Sequence, residues 1–320
     1  MKKINIFLIL ILVIITCFGC DNTNNESTIE EEIDYSMTLN HEFPIDNSLK
    51  NGENKKTKVI ILLGQSNATG ASEVRYLKLN TTPEEFTKYE NGFDNILINF
   101  CIDNHRNTTG GEFRKTDLNC GSKTGYFGPE VGLAEVLSQN FPDEEIIILK
   151  YTMSGYSLNH HWLSHKERGD IYKACIIFLK TYLDFLVSKN YDISVDAICW
   201  MQGESDTTEV KANLYLDNQI AFVSYLREDL ASYQNESGIY FIDAGISSSP
   251  YCLPAYPTVN KAKEEFAKLS PLNIYFPTIE NELTTLYEPE ENPDLGHYDA
   301  LSEIKLGQLF GQEIVKIYNK

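Results

Sequence analysis

From Lys58 onward, short unbroken apolar runs alternate with longer amphipathic stretches, and this alternation restricts the fold more than any other property of the chain. The runs are Val59–Leu63, Ile96–Phe100, Glu145–Lys150 with its Ile-Ile-Ile-Leu centre, Val195–Met201 and Ile239–Ala244. A strand with one wet face alternates apolar and polar residues. Continuous runs instead require burial on both faces, as in a parallel sheet covered by helices. Helical patterns fall between them at about Pro129–Asn140, Ile171–Asn190, Val210–Tyr233, Val259–Leu269 and Ala300–Tyr318. The expectation is an α/β fold, a three-layer α/β/α sandwich with a central parallel sheet, occupying residues 57–320 as one domain without internal repeats.

Open parallel sheets bind ligands at the carboxyl ends of their strands, so polar chemistry should cluster just after each run. After the first run stand Gly64-Gln65-Ser66-Asn67, and after the third Thr152-Met153-Ser154-Gly155-Tyr156-Ser157. Gln202-Gly203-Glu204-Ser205-Asp206 follows the fourth, and Asp294-Leu295-Gly296-His297 precedes the last helix. Each block alone has a structural explanation. Ser66 and Asp294 fit helix caps, Gly155 a turn glycine, and Gln202 and Glu204 polar residues satisfied at a sheet edge. A serine becomes a nucleophile only when an imidazole takes its proton and a carboxylate holds that imidazole.

Together the blocks GQSN, GPEVGLAEVL, SGYSL with the nearby HW, WMQGESD and DLGHYDALSEIKLG closely resemble the SGNH hydrolase superfamily, specifically the sialate O-acetylesterase-like branch that includes carbohydrate esterase family 6. The resemblance implies a flavodoxin-like SGNH hydrolase fold and a serine esterase that removes O-acetyl groups from carbohydrate of sialate or acetylxylan type, without a cofactor. It maps the nucleophile onto Ser66, the base onto His297 and its orienting acid onto Asp294. The oxyanion donors map onto the Ser66 and Gly155 backbone and the Gln202 side chain. The chain departs from the family pattern at Ala68, where methionine is frequent, and at Ser154-Gly155, where Gly-Gly is usual. Glu204 and Asp206 compete with Asp294 for the acid role; the closeness of Asp294 to His297 favours Asp294, with Glu204 structural beside the site. The other reading is a catalytically silent glycan-binding surface lipoprotein on the same fold.

Substrate-pocket candidates are Gln65, Asn67, Glu204, His160, His161 and Trp162. His160, His161 and His165 also invite a metal, but no glutamate follows His161 as in the zinc-protease motif, and no metal is expected. The polar, Gly-rich insertion from Arg75 to Lys123 fits either a specificity loop or a surface excursion.

At the N-terminus, Met-Lys-Lys precedes an apolar run ending in Gly19-Cys20, which reads as an export signal over residues 1–19. A small residue before cysteine resembles a bacterial lipobox, making Cys20 the lipid-bearing residue of an exported protein anchored at the cell envelope. Residues 20–56, polar and acidic, read as a tether. The net charge of −19 and the lack of a basic stripe argue against nucleic acid as a partner. Of the five cysteines beyond Cys20, only Cys101 and Cys120 lie where a disulfide would be considered.

Overall fold

Strand β1 (Lys55–Gly64) is the axis of the structure: Val59, Ile60, Ile61, Leu62 and Leu63 are all fully buried, as an apolar run inside a parallel sheet must be. The computed structural model describes residues 34–319. The other strands of the main sheet are β2 (Phe93–Ile102), β3 (Asn107–Thr108), β4 (Arg114–Thr116), β5 (Ile146–Thr152), β6 (Tyr191–Met201), β7 (Tyr240–Ala244) and β8 (Asn273–Phe276). Their spatial order is β8-β7-β6-β1-β5-β2-β3, with β4 also on β2. All pairs are parallel except those of β3 and β4 with β2.

Taken without β2, the parallel strands run β5-β1-β6-β7-β8, the 2-1-3-4-5 order of flavodoxin-like sheets. Successive connections leave β1 in opposite directions, so a crevice opens at its carboxyl end. The Arg75–Lys123 insertion both extends the sheet and supplies cavity-lining residues, among them Tyr76, Asp103 and Arg106. It contributes β2 to β4 and helices α2 (Val74–Asn80) and α3 (Pro83–Asn91), the latter begun by a Thr82/Glu85 capping box.

Helices α4 (Glu130–Asn140) and α8 (Ala300–Tyr318) cover one face, and α5 (Asp170–Ser188), α6 (Glu209–Asp229) and α7 (Tyr256–Ala267) the other. Side-chain alternation along the strands shows this. On β5, Lys150 reaches Glu130 of α4 while Tyr151 packs against Phe178 of α5. Across the sheet, in the row of Tyr151, Leu63 and Trp200, Asp243 pairs with Lys263 of α7.

The segment Tyr35–Lys50 departs from the expected tether. It lies along the domain as an extended strap whose alternate residues Tyr35, Met37 and Leu39 are partly buried while Ser36, Thr38 and Asn40 are exposed. The Met37 amide donates to Asp170 Oδ2 (2.8 Å), the Asn40 amide to Asn104 Oδ1 (2.8 Å), and Tyr182 Oη donates to the Pro44 carbonyl (2.8 Å). Phe43 stacks on His105 and meets Tyr151 and Phe178 edge-on. Polar composition hid a period-2 apolar pattern that suffices to bind an extended segment to a preformed surface. The remaining described cysteines, Cys101 and Cys120 included, are buried free thiols.

Candidate active site

The site begins with a close backbone contact. Gly64 ends β1 at φ 148°, and a Cβ there would lie 1.9 Å from the Met201 carbonyl oxygen at the end of β6, so only glycine lets the two strand ends meet. The Gln65 amide bonds that same carbonyl at 3.0 Å. The chain then turns into the one-turn helix α1 (Ser66–Thr69), with Gln65 as its cap and Ser66 as its first residue. The Ala68 and Thr69 amides both bond the Gln65 carbonyl at 2.8 Å, and the helix itself does not use the amides of Ser66 and Asn67.

Asn67 makes the decisive connection. Its side-chain oxygen accepts the Tyr298 amide at 3.1 Å, and its Nδ2 donates to the Gly296 carbonyl at 3.3 Å and to Glu204 Oε1 at 2.7 Å. The residues on either side of His297 are thus held by the residue next to Ser66. Ser72 Oγ donates to the Tyr298 carbonyl at 2.7 Å and secures the same loop. His297 Nδ1 lies 2.6 Å from Asp294 Oδ2. With Nδ1–H given to that carboxylate, Nε2 is left as the free acceptor of the ring.

Burial would push the Asp294 carboxyl up, but the His297 hydrogen bond and charge, with the Gly296 and His297 amides, bring it below the ordinary carboxylate range. Asp294 is therefore an anion at neutral pH. Ser66, Asp294 and His297 line one cavity of about 650 Å³, together with Ser154 and Tyr251.

Beneath the cavity, the block after β6 is locked to both neighbours. Gln65 Oε1 accepts from Gln202 Nε2 and from the Ser205 amide, each at 3.2 Å. Gln202 Nε2 also donates to Asp206 Oδ2 at 2.6 Å and lies 3.3 Å from the Tyr156 carbonyl, while Tyr215 Oη sits 2.9 Å from Gln202 Oε1. Asp206 in turn accepts the amides of Leu158 (2.7 Å) and Asn159 (3.2 Å). Burial pushes the carboxyls of both Asp206 and Glu204 up, and their hydrogen bonds only partly offset it.

The family model described as carbohydrate esterase, sialic acid-specific acetylesterase, matches residues 56–316. The chain belongs to this family. It is a carboxylic ester hydrolase of the carbohydrate acetylesterase kind. No curated protein sequence matches it significantly. Among solved structures, a protein from Arabidopsis thaliana is similar with TM-score 0.57 and 19% identity over 81% of this chain and 98% of the other. NanS is similar with TM-score 0.57 and 15% identity over 85% and 99%. A carbohydrate acetylesterase from Xanthomonas citri gives 0.51 and 15% over 79% and 55%. At these identities the likeness is one of fold, the SGNH-like α/β sandwich.

Within the esterase, the six expected pocket residues take other places. Gln65 and Asn67 are buried and hold the site from behind, and Glu204 is spent on Asn67, its Oε2 buried without a partner among the described residues. Trp162 is fully buried against Trp200 and Phe222, so it belongs to the core and does not line the cavity of Ser66. His160 stacks on Tyr35 of the strap at 4.0 Å, and His161 Nδ1 lies 3.0 Å from Ser157 Oγ; neither borders the cavity of Ser66. Sequence patterning places residues near a strand end but not on one side of it. Gly155 is exposed at φ 80°, beside Ser154, whose amide donates to Asp103 Oδ1 at 2.7 Å.

The esterase also has supports that sequence reading missed. Lys150, fully buried, donates to the carbonyls of Thr69 (2.9 Å) and Cys120 (2.8 Å) and to Glu130 Oε2 (2.6 Å), tying the end of α1 to α4. A lysine closing an otherwise apolar strand is its sequence signal, because a buried ammonium requires a partner. Tyr251, 70% exposed at the cavity, had no such signal.

Proposed function

We propose that the esterase removes O-acetyl groups from sugars of the sialate or acetylxylan type through Ser66, His297 and Asp294. His297 Nε2 takes the Ser66 hydroxyl proton as Oγ attacks the acetyl carbonyl. The imidazolium then gives that proton to the departing sugar oxygen, leaving acetyl-Ser66. A water that loses its proton to His297 attacks the acetyl carbon, and Ser66 leaves with the proton as acetate is released. Asp294 holds the ring and stabilises its charged form in both halves.

The tetrahedral oxyanion would be held by the amides of Ser66 and Gly155 and by Gln202. The Gln202 hydrogen not given to Asp206 is shared between two long contacts, and it is the one that would turn to the oxyanion.

The observation that carries this reading is the Asn67 bridge, which holds the His297 loop against the residue adjoining Ser66. A bridge of this kind keeps the His297 loop beside the Ser66 turn, as a serine working with that histidine requires. The test is Ser66→Ala assayed with 4-nitrophenyl acetate. Activity is expected to fall by about 10³-fold or more, and a variant as fast as the parent overturns the mechanism.

Export and anchoring through Cys20 at the cell envelope belong to the same proposal. Cys20 lies outside the described residues, and support comes from the apolar run ending in Gly19-Cys20. Incorporation of an alkyne-tagged fatty acid in the parent but not in Cys20→Ala is the expected result.

A further inference from the structure

A second cavity, of about 380 Å³, adjoins the catalytic one. Asp103, Arg106 and Ser154 line both, so the two share a ridge rather than being separate sites. The far wall of the second cavity is the strap, at Met37, Thr38 and Leu39. That wall is fixed on either side by the Met37 amide bond to Asp170 and the Asn40 amide bond to Asn104.

The ridge is equally well set. Asp103, Asn104 and His105 have φ of 48°, 53° and 69°, a tight left-handed turn, and Asp103 holds the Ser154 amide. Beside Ser154, Gly155 is exposed, and the three residues common to both linings make the two cavities continuous. A ligand can therefore run from Ser66 over the ridge into the second cavity.

We propose that the second cavity is a subsite for a neighbouring sugar ring, so that the substrate is an acetylated oligo- or polysaccharide and the strap is part of the substrate-binding surface. The inference rests on the esterase reading of Ser66 and His297. A pyranose presents apolar C–H faces and a rim of hydroxyls, and the lining matches that mixture. Leu39 and Tyr156 offer apolar surface beside the polar Thr38, Asp103 and Arg106. Arg106 is 62% exposed and stands 3.7 Å from Asp103, so a donor and an acceptor for sugar hydroxyls lie side by side on the ridge. A purely apolar ligand would cover this charged pair without offering it hydrogen bonds, and an anion would face Asp103. Contacts made away from the reacting ester can be expressed in kcat/KM.

The test compares per-O-acetylated xylose with xylobiose, glucose with cellobiose, and N-acetylglucosamine with chitobiose, following acetate release by the full chain. The parent is expected to favour the disaccharide of at least one pair by about tenfold in kcat/KM. Thr38→Trp, which fills the cavity from an exposed position, is expected to bring that ratio close to one. Because the ratio is taken within one preparation, a loss of folded protein does not alter it.

A parent that hydrolyses 4-nitrophenyl acetate but favours none of the disaccharides overturns the subsite and leaves the esterase reading intact. An unchanged ratio in Thr38→Trp also overturns it. Full activity of Ser66→Ala would instead overturn the assignment of Ser66 as nucleophile, on which the placing of the subsite rests.

Discussion

Asn67 is adjacent to Ser66 in the chain, yet its hydrogen bonds go to Glu204 and to residues 296 and 298. Asn67→Ala removes all three without altering the side chains of Ser66, His297 or Asp294, so that the His297 loop loses its tie to the residue beside Ser66. The expected result is a fall in kcat of about 10²-fold with KM little changed, since misplacing a reacting group by about an ångström costs that much. Steady-state kinetics on 4-nitrophenyl acetate, with circular dichroism to confirm the fold, measures it. Asp294→Asn is expected to cost about 10³- to 10⁴-fold in kcat, because the amide no longer favours the Nδ1–H tautomer. An Asp294→Asn enzyme within tenfold of the parent would return the acid role to Glu204. Ser66, Asp294 and His297 could be singled out as candidates in the sequence because each sits in a recognisable block, and the structure brings them to one cavity. The role of Asn67 was not, because it depends on which way one amide faces across the chain.

Among the helices, the crossing of α4 and α8 is set by glycine. A Cβ on Gly132 would lie 1.9 Å from the Ile304 carbonyl, and one on Gly307 1.9 Å from that of Pro129. Gly307→Ala must push the helices apart, and we expect a loss of about 3 kcal/mol in denaturant unfolding. This packing also encloses Glu303, whose two carboxyl oxygens are buried with no partner among the described residues. Burial, reinforced by Glu130, holds its pKa well above the ordinary carboxylate value despite the pull of Lys150. The helices and strands were read from period and apolar continuity, which burial on one or both faces imposes directly. The strap was not, because its few inward residues are diluted by acidic and amide neighbours.

For the molecule as a whole, these buried acids set how stability changes with pH. A carboxyl such as Glu303, with its folded pKa raised, keeps a proton in the native state that the unfolded chain has released. Stability therefore falls as pH climbs from the ordinary carboxylate value toward the raised one. Glu303→Leu removes that linkage. The melting temperature of the variant is expected to gain on that of the parent between about pH 5 and about pH 8. A constant difference across that range would show that Glu303 is ionised in the native protein.

The Asn67 bridge has a further consequence, one of timing. Its bonds to residues 296 and 298 join positions 229 and 231 residues apart, so they are among the last contacts a growing chain can make. Under the proposed mechanism, a nascent chain in which β1, β5 and β6 have formed carries Ser66 but not yet His297. Under that mechanism hydrolysis waits until the segment before α8 is released and docks, and a chain cut short before Asp294 keeps Ser66 but lacks both proposed partners and the α8 helix that covers one face of the sheet.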